Sequence, residues 1–407
     1  MATPIGSDGY LRMSQEEKRR RHDAVRARMR ARGLSAILVH ANSTKWDCGV
    51  ADVRYLSHIG GNGEEGYLVF DLREEPTYIL PGAGHIDGWL AMQDWTKDLR
   101  PAGPSAAQAL ADRIKELGLE KSALGLVGRA RGPLVPDGRW PYTALEGLRK
   151  ALPHAGLEDF DDDLAAIRAL KSDEELACHE RAMALTEEAI KVMVANARVG
   201  VRGGVVFGKM VGTMLSGGAD MSVMVQLNIS TAPRLAARLV SNQPLQKGQV
   251  ILNEITAKYG GYWSQAHAPV SIGTKPSRAH QRLFDVIRDG LERGQAALKP
   301  GVTVRDLAEV IRQPAANAGY GWSPIPTVKG IGLATSEHPI SPPPGDAKSP
   351  YGAGDGSDLI QERMVICFQP SAWDAEARLG MHAAETYVVT QSGCRRLGRR
   401  ALELHAT

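Results

Sequence analysis

The chain has 407 residues, which is too long for one ordinary hydrophobic core, so we expect two domains. Hydrophobic residues make up 43% and charged residues 23%, a composition typical of globular proteins. The formal net charge is +3 and acids and bases are mixed along the chain, which argues against dedicated nucleic-acid binding. No apolar run approaches transmembrane length, so we expect no membrane association.

Four cysteines are scattered along the chain and form no CxxC pair: Cys48, Cys178, Cys367 and Cys394. This usage fits a reducing compartment and provides no zinc framework. We therefore expect a cytoplasmic protein.

The first part of the chain alternates predicted helices and strands. Residues 1–13 are predicted to be a loose leader, and the elements that follow are a helix over 14–32, strands over 35–40, 54–58, 66–71 and 77–80, a helix over 106–117 and a strand over 122–127. Such alternation over about 160 residues predicts a small α/β domain.

The second part begins with a long predicted helix, over 172–194, whose start carries the capping-box pattern Ser172-x-x-Glu175. The remaining predictions are helices over 205–215, 277–297 and 304–318, a long Pro- and Gly-rich loop over 322–356, and strands over 364–370 and 384–390. This order predicts an α+β domain with its strands concentrated in the later half.

Residues 248–273 are predicted to form a hairpin that turns at Gly260-Gly261, with its second strand over 262–272. Strand alternation puts Trp263, Gln265 and His267 on one face. Titratable side chains on one face of a hairpin indicate a candidate active-site floor.

Several stretches of the chain resemble the creatinase, aminopeptidase P and prolidase family, in the family's order. They are VRYLSHIGG (53–61), IRALKSDEELACHERAMALTEEAI (167–190), PLQKGQVILNE (244–254), LKPGVTVRDLAEVIRQPAANAGYG (298–321), KGIGLATSEHP (329–339) and MVICFQPS (364–371). The resemblance implies an α/β N-terminal domain over 1–164 and an α+β "pita-bread" catalytic-type domain over 165–407.

The peptidases of this family bind two metal ions through two Asp, one His and two Glu. The resemblance places these five positions at Glu254, Gln265, Lys329, Gln369 and Ala384, of which at most one keeps a carboxylate. Metals of the Mn and Zn type need several anionic oxygen or imidazole donors. We therefore predict no metal site and no other cofactor.

The leading hypothesis is a metal-independent, creatinase-like hydrolase that cleaves a C–N bond in a small nitrogenous metabolite. The catalytic candidates are Glu254, His267, Lys329, Glu337 and His338, and the candidates for substrate binding are Tyr262, Trp263, Gln265, Gln369, His382 and Glu385. Either Glu254 or His267 would activate water, or Glu254 would attack directly. Lys329 would hold a substrate carboxylate or stabilise an oxyanion in place of the metal charge.

Each of these residues also has a structural interpretation. Glu254 and Lys329 would form a buried ion pair in place of the metals, and His267 and His382 would be satisfied core histidines. Glu385 would point away from the site, because adjacent strand residues face opposite ways.

Two other functions remain open. One is an Xaa-Pro peptidase-like metalloenzyme, and the other is a non-catalytic pita-bread module that binds a ligand. By the same resemblance we expect a homodimer with a small-molecule substrate.

Overall fold

The computed structural model describes residues 9–61, 64–129, 137–233, 239–321, 325–343 and 354–407. The chain divides into two compact units, Met1–Arg168 with Ser172–Glu174, and Ala169–Lys171 with Glu175–Thr407. The boundary predicted after residue 164 falls inside a helix, Asp161–Ala169. No helix within the described ranges is long and apolar enough to cross a membrane.

The first unit is a mixed six-stranded sheet with helices. Its strands are β1 (Ala36–Ala41), β2 (Gly66–Asp71), β3 (Thr77–Leu80), β4 (Asp98–Pro101), β5 (Ala123–Val127) and β6 (Gly156–Asp159), and its helices are α1 (Gln15–Ala31), α2 (Thr44–Asp47), α3 (Ala51–Ser57), α4 (Ile86–Met92), α5 (Ala106–Glu116), α6 (Tyr142–Ala151) and α7 (Asp161–Ala169). The strand order is β4-β3-β2-β1-β5-β6. Strand β1 runs parallel to β5 and antiparallel to β2.

The core of this unit lies between the sheet and two helices. Leu38 of β1 and Leu126 of β5 are buried with Leu110 and Ile114 of α5 and Leu148 of α6. The observed sheet and helices agree with the predicted α/β class.

The second unit begins with two helices and continues into two five-stranded sheets. Its helices are α8 (Asp173–Asn196), α9 (Gly203–Ser216), α10 (Arg278–Ala297) and α11 (Val304–Asn317). Its strands are β7 (Met224–Ser230), β8 (Val250–Tyr259), β9 (Tyr262–Ala266), β10 (Val270–Ser271), β11 (Val328–Gly330), β12 (Glu337–Ile340), β13 (Val365–Phe368), β14 (Ser371–Asp374), β15 (Leu379–His382), β16 (Glu385–Val389), β17 (Cys394–Arg396) and β18 (His405–Ala406).

One sheet has the order β18-β10-β8-β7, with β9 also paired to β8, and the other has the order β12-β11-β13-β16-β17. Strands β14 and β15 form a separate two-stranded ribbon. Helices α10 and α11 begin where Ser277 and Thr303 cap them through their hydroxyls. The mixture of helices and antiparallel sheets agrees with the predicted α+β class.

The turn of the central hairpin is confirmed at Gly260 and Gly261, whose φ angles of 59° and 92° lie in the left-handed region. Their backbone N–H groups donate to the carboxylate of Asp220, at 3.0 and 2.8 Å. The turn is therefore held from outside the hairpin.

The strand predicted over 54–58 is wrong, because these residues belong mostly to helix α3. The Ser57 hydroxyl donates to the carbonyl of Val53, and the N–H of His58 donates to that of Arg54. His58 then ends the helix in the left-handed conformation, with φ of 60°. A run of only five residues fits either periodicity, so the pattern could not distinguish a helix from a strand.

The single strand predicted over 262–272 is also wrong, since it is divided into β9 and β10. Between them the Asn253 amide bonds to the backbone N–H and carbonyl of Ala268, at 2.9 and 2.6 Å. Pro269 has no N–H to donate to a ladder. The interruption brings His267 into an isolated bridge with Ala384.

The loop predicted over 322–356 contains two short strands, β11 and β12. They were not predicted because each is at most four residues long and follows a Gly- or Pro-rich segment. Residues 322–324 and 344–353 of this prediction lie outside the described ranges.

Candidate functional site

The two faces of strand β9 contact different elements. On one face the Tyr262 hydroxyl donates to the Glu175 carboxylate at 2.8 Å, and the Ser264 hydroxyl donates to the carbonyl of His179 at 2.7 Å. On the other face the side chain of Gln265 lies against β13 of the second sheet. The predicted alternation is therefore confirmed, and the Gln265 face holds the candidate site.

The Gln265 face of the hairpin is next to a continuous hydrogen-bonded group of four side chains, which come from the hairpin and from two other strands. We name it the polar cluster: Gln265, His267, Cys367 and His382. Cys367 Sγ lies 3.7 Å from Gln265 Oε1, and Gln265 Nε2 lies 2.6 Å from His267 Nε2. His267 Nδ1 then lies 3.0 Å from His382 Nδ1. All four side chains are almost completely buried. The cluster joins the hairpin to β13 and β15.

Burial keeps the polar cluster uncharged at neutral pH. It lowers the pKa of His382 to about 4, and it lowers the pKa of His267 well below its usual value, with further lowering from His382, Lys329 and Arg400. Burial also raises the pKa of the Cys367 thiol to about 12. Cys367 is therefore a protonated thiol and not a poised nucleophile.

Lys329 lies on β11, directly opposite Cys367 of β13. Its side chain is buried, and its ammonium is 3.4 Å from the Ser336 hydroxyl. Among the residues that the structure describes, it forms no ion pair. Its charge lowers the pKa values of both His267 and Cys367, so the ammonium lies close to the polar cluster.

Glu254 lies on β8 opposite Gln226 of β7, and it accepts a hydrogen bond from Gln226 Nε2 at 3.1 Å. The residue is half-buried. Its negative charge raises the pKa of Cys367, which places the carboxylate near the polar cluster as well. Glu254 therefore combines an oriented carboxylate with access to solvent.

The carboxylate of Glu337 already has partners within the protein. Its carboxylate pairs with Lys171 Nζ at 3.1 Å and accepts from the backbone N–H of Ala334 at 2.9 Å. It also fills the space where a side chain on Gly332 would lie, since a Cβ there would come within 2.3 Å of it. These contacts hold Glu337 beside Lys171 and not beside the polar cluster. His338 is half-buried, and its role stays a prediction.

Tyr262 and Trp263 are both buried. The indole N–H of Trp263 donates to the carbonyl of Leu333 at 3.2 Å, and Lys258 Nζ lies 5.3 Å from the ring centroid. The hydroxyl of Tyr262 is used by Glu175. Both rings thus pack within the protein, and the stacking on substrate that we expect from them stays a prediction.

Gln369 and Glu385 also have protein partners. Gln369 Nε2 donates to the carbonyl of Pro326 at 2.7 Å. The Glu385 carboxylate pairs with Arg400 and lies 3.9 Å from Arg396 Nε, while burial raises its pKa. Glu385 therefore points towards the two arginines of the C-terminal segment, as strand alternation suggests, and Ala384 takes the place beside His267.

The residues do not fit a two-metal centre. The Gln265 carboxamide already bonds to Cys367 and His267, and Lys329 brings a positive charge to another ligand position. Among the described residues, no three His, Cys, Asp or Glu side chains are arranged to hold a metal ion. One half-buried carboxylate, that of Glu254, is too few for ions that need several anionic donors.

Two members of the site were not predicted, Cys367 and Gln226. Cys367 stands two residues before Gln369, so strand alternation alone would have put both on one face. Gln226 lies on β7, a strand that was not predicted although apolar and polar residues alternate along Met224–Ser230, and this alternation could have found it.

Comparisons with known proteins support a hydrolase of the peptidase type. The chain is 23% identical to the Xaa-Pro dipeptidase of Pyrococcus furiosus over 271 residues, 66% of this chain and 74% of the relative. It is also 23% identical over 381 residues to the uncharacterized peptidase YqhT of Bacillus subtilis, 91% of this chain and 96% of the relative. These names favour the peptidase alternative over the creatinase-like hypothesis.

The fold is shared with solved structures. The X-Pro aminopeptidase of Thermotoga maritima matches 95% of this chain and 99% of its own, with a TM-score of 0.78 and 19% identity. The model of the creatinase/prolidase N-terminal domain matches residues 21–170. The model of metallopeptidase family M24 matches residues 177–391, and the chain belongs to that family.

Proposed function

We propose that the protein is a hydrolase that cleaves a C–N bond in a small substrate without a two-metal centre. The observation that carries the proposal is the change at the family's ligand positions. Glu254 keeps an oriented, half-buried carboxylate, whereas Gln265 and Lys329 replace a ligand with a neutral amide and a cation. The site thus keeps a base and a positive charge but not the donors for metal.

Glu254 is the proposed base. Its carboxylate takes a proton from water, the water oxygen attacks the carbon of the C–N bond, and the proton passes to the leaving nitrogen as that bond breaks. The ammonium of Lys329 balances negative charge on the substrate. His267 is a weaker candidate for the base, because both of its ring nitrogens already bond to Gln265 and His382.

Two substrate classes have separate support. The names of the relatives favour a peptide bond to proline. The altered ligand positions favour a creatinase-like substrate, because the creatinase branch works without metal on a small nitrogenous metabolite. The homodimer and the small-molecule substrate remain proposals, and oligomeric state is checked by light scattering of the purified protein.

The test compares Xaa-Pro dipeptides and small guanidino compounds as substrates of EDTA-treated protein, with and without added Mn²⁺. We expect release of amine or amino acid at the same rate in both conditions. Glu254→Gln should lower that rate by about 100-fold or more, whereas Glu292→Gln, at an exposed position, should not change it.

Turnover that requires Mn²⁺ would instead support the metallopeptidase alternative. If no substrate of either class is hydrolysed while a ligand raises the melting temperature and is recovered unchanged, the non-catalytic module is supported and the proposal fails.

A further inference from the structure

The hydroxyl of Thr256 is buried on the Gln265 face of the hairpin and has no hydrogen-bond partner among the described residues. Two other fully buried threonines contact the same hairpin, and both are bonded. Thr186 donates to the carbonyl of Ser264 at 2.9 Å, and Thr386 donates to the carbonyl of Gln265 at 2.7 Å. Buried polar groups are nearly always satisfied in proteins. The Thr256 hydroxyl therefore indicates a partner from outside the chain.

The strand register places this hydroxyl beside Glu254. Both residues lie on β8, two positions apart, so their side chains leave the same face of the sheet. Directly opposite residues of neighbouring antiparallel strands also share a face. Gln226 is opposite Glu254 on β7, and their side chains bond at 3.1 Å, while Gln265 is opposite Thr256 on β9. Thr256 is thus next to both the proposed base and the polar cluster.

The spacing along β8 suits one bridging water molecule. Two residues of a strand span about 6.6 Å between their Cα atoms. A water that bonds to two oxygens holds them up to about 5.6 Å apart, because each bond is about 2.8 Å long. The Glu254 carboxylate offers several acceptor sites, of which Gln226 uses one. A water between Glu254 and Thr256 would therefore have two polar partners from the protein, the minimum for a buried water.

We propose that Thr256 is a further catalytic residue, whose hydroxyl holds the attacking water for Glu254. The reaction itself rests on the proposed function, but the water site does not require turnover. Glu254 accepts one O–H of the water and Thr256 accepts the other, so a lone pair of the water oxygen is directed away from both and towards the substrate. The proton taken by Glu254 passes to the leaving nitrogen, and Thr256 neither gains nor loses a proton.

Packing alone would favour valine at position 256. Valine has nearly the shape of threonine without the hydroxyl, and both residues suit a strand. A buried hydroxyl without a partner in the protein lowers the stability of the ligand-free chain. The proposal therefore predicts that removing this hydroxyl affects stability and hydrolysis in opposite directions.

The first test measures hydrolysis and urea denaturation of Thr256→Val. The variant should lower kcat by about 10-fold, the effect of one lost hydrogen bond, and leave KM nearly unchanged, because the hydroxyl contacts water and not substrate. Its urea midpoint should equal or exceed that of the wild-type protein, whereas Thr186→Val, which removes a bonded hydroxyl, should lower the midpoint. The control for activity is Thr213→Val, whose hydroxyl bonds only within its own helix and which should leave kcat unchanged.

Thr256→Ser is the conservative variant. It keeps the hydroxyl and should retain most of kcat, but it loses a buried methyl group and should lower the urea midpoint. The two variants should thus rank in opposite orders, with serine the more active and valine the more stable. A residue that acts only through packing would give the same order in both measurements.

The second test does not depend on hydrolysis. A crystal structure of the ligand-free wild-type protein should show an ordered water within hydrogen-bond distance, about 2.6–3.2 Å, of both Thr256 Oγ1 and the Glu254 carboxylate. The crystal structure of Thr256→Val should not show this water.

No water at that position, unchanged kcat in Thr256→Val, or a urea midpoint lowered as far as in Thr186→Val would each overturn the proposal. Failure of Thr256→Val to fold would overturn it as well, since the hydroxyl would then be structural. The water without hydrolysis of any substrate would support the water site while removing the proposed function. Hydrolysis that requires Glu254 but not Thr256 would do the reverse.

Discussion

At the scale of single residues, Lys329 and Lys171 are similarly buried but differ in whether a carboxylate neutralises them. Both are buried lysines of the second unit, but only Lys171 has a carboxylate partner, Glu337, among the described residues. The energetic effect of removing each charge should therefore differ in sign. Removing a paired buried charge leaves its partner uncompensated, whereas removing an unpaired one relieves a desolvation cost.

We predict that Lys329→Met stabilises the ligand-free protein, by on the order of 1 kcal/mol in the free energy of unfolding. Lys171→Met should destabilise it by about 3–5 kcal/mol, because Glu337 is left buried without its cation. Urea denaturation at neutral pH measures both values. A large loss of stability in Lys329→Met would mean that Lys329 has a counter-ion within the protein.

At the scale of elements, one buried hydroxyl of helix α8 bonds to both strands of the central hairpin. Thr186 donates to the carbonyl of Ser264 on β9 at 2.9 Å and accepts from the N–H of Ala257 on β8, also at 2.9 Å. Thr186 is buried, so no water can replace these bonds. This contact supports the strands that carry Glu254 and Gln265.

Thr186→Val should therefore destabilise the protein by about 1–3 kcal/mol for each buried backbone group that loses its partner. The substitution keeps the shape of the side chain, so the loss reports the hydrogen bonds. Thr213→Val is the control, because the Thr213 hydroxyl bonds only to its own helix, at Lys209. Equal stability losses in the two variants, measured by thermal unfolding, would contradict the structural role of Thr186.

Some of these elements could be predicted from the sequence, and others could not. Helices α10 and α11 were predictable because Ser277 and Thr303 cap amphipathic runs, and the hairpin turn was predictable from Gly260-Gly261. The short helix α3 was not, because five residues fit two periodicities. Short strands such as β11 were missed because tertiary pairing, and not local pattern, defines them.

The candidate site was predictable only where one strand carries it. Gln265 and His267 share a face by alternation, so their proximity follows from the sequence. The contact between His267 and His382 joins residues 115 positions apart, and the partner of Cys367 is 102 positions away. Such contacts depend on how the strands assemble, which no local pattern contains.

At the scale of the whole molecule, buried histidines should make stability depend on pH. Burial lowers the pKa of His22 to about 4 and that of His179 to about 3. Their pKa in the unfolded chain is about 6.5, so below that pH the unfolded state binds more protons than the folded state. Stability is therefore fully present above about pH 6.5 and is lost as the pH falls towards the folded values.

Between pH 6.5 and pH 4, His22 alone should account for a loss on the order of 3 kcal/mol in the free energy of unfolding. Urea denaturation at a series of pH values measures this slope. His22→Asn should give a shallower slope, and His154→Asn, at an exposed position, should not change it. A slope that does not respond to His22→Asn would show that His22 is protonated in the folded protein.

We propose hydrolysis in a family M24 fold without its two-metal centre. The most direct test is elemental analysis of the purified protein by mass spectrometry, combined with a hydrolysis assay on the same sample before and after EDTA treatment. We predict far less than one equivalent of Mn, Co or Zn per chain and unchanged hydrolysis after EDTA treatment. Two bound metal equivalents per chain, with hydrolysis lost when they are removed, would contradict it.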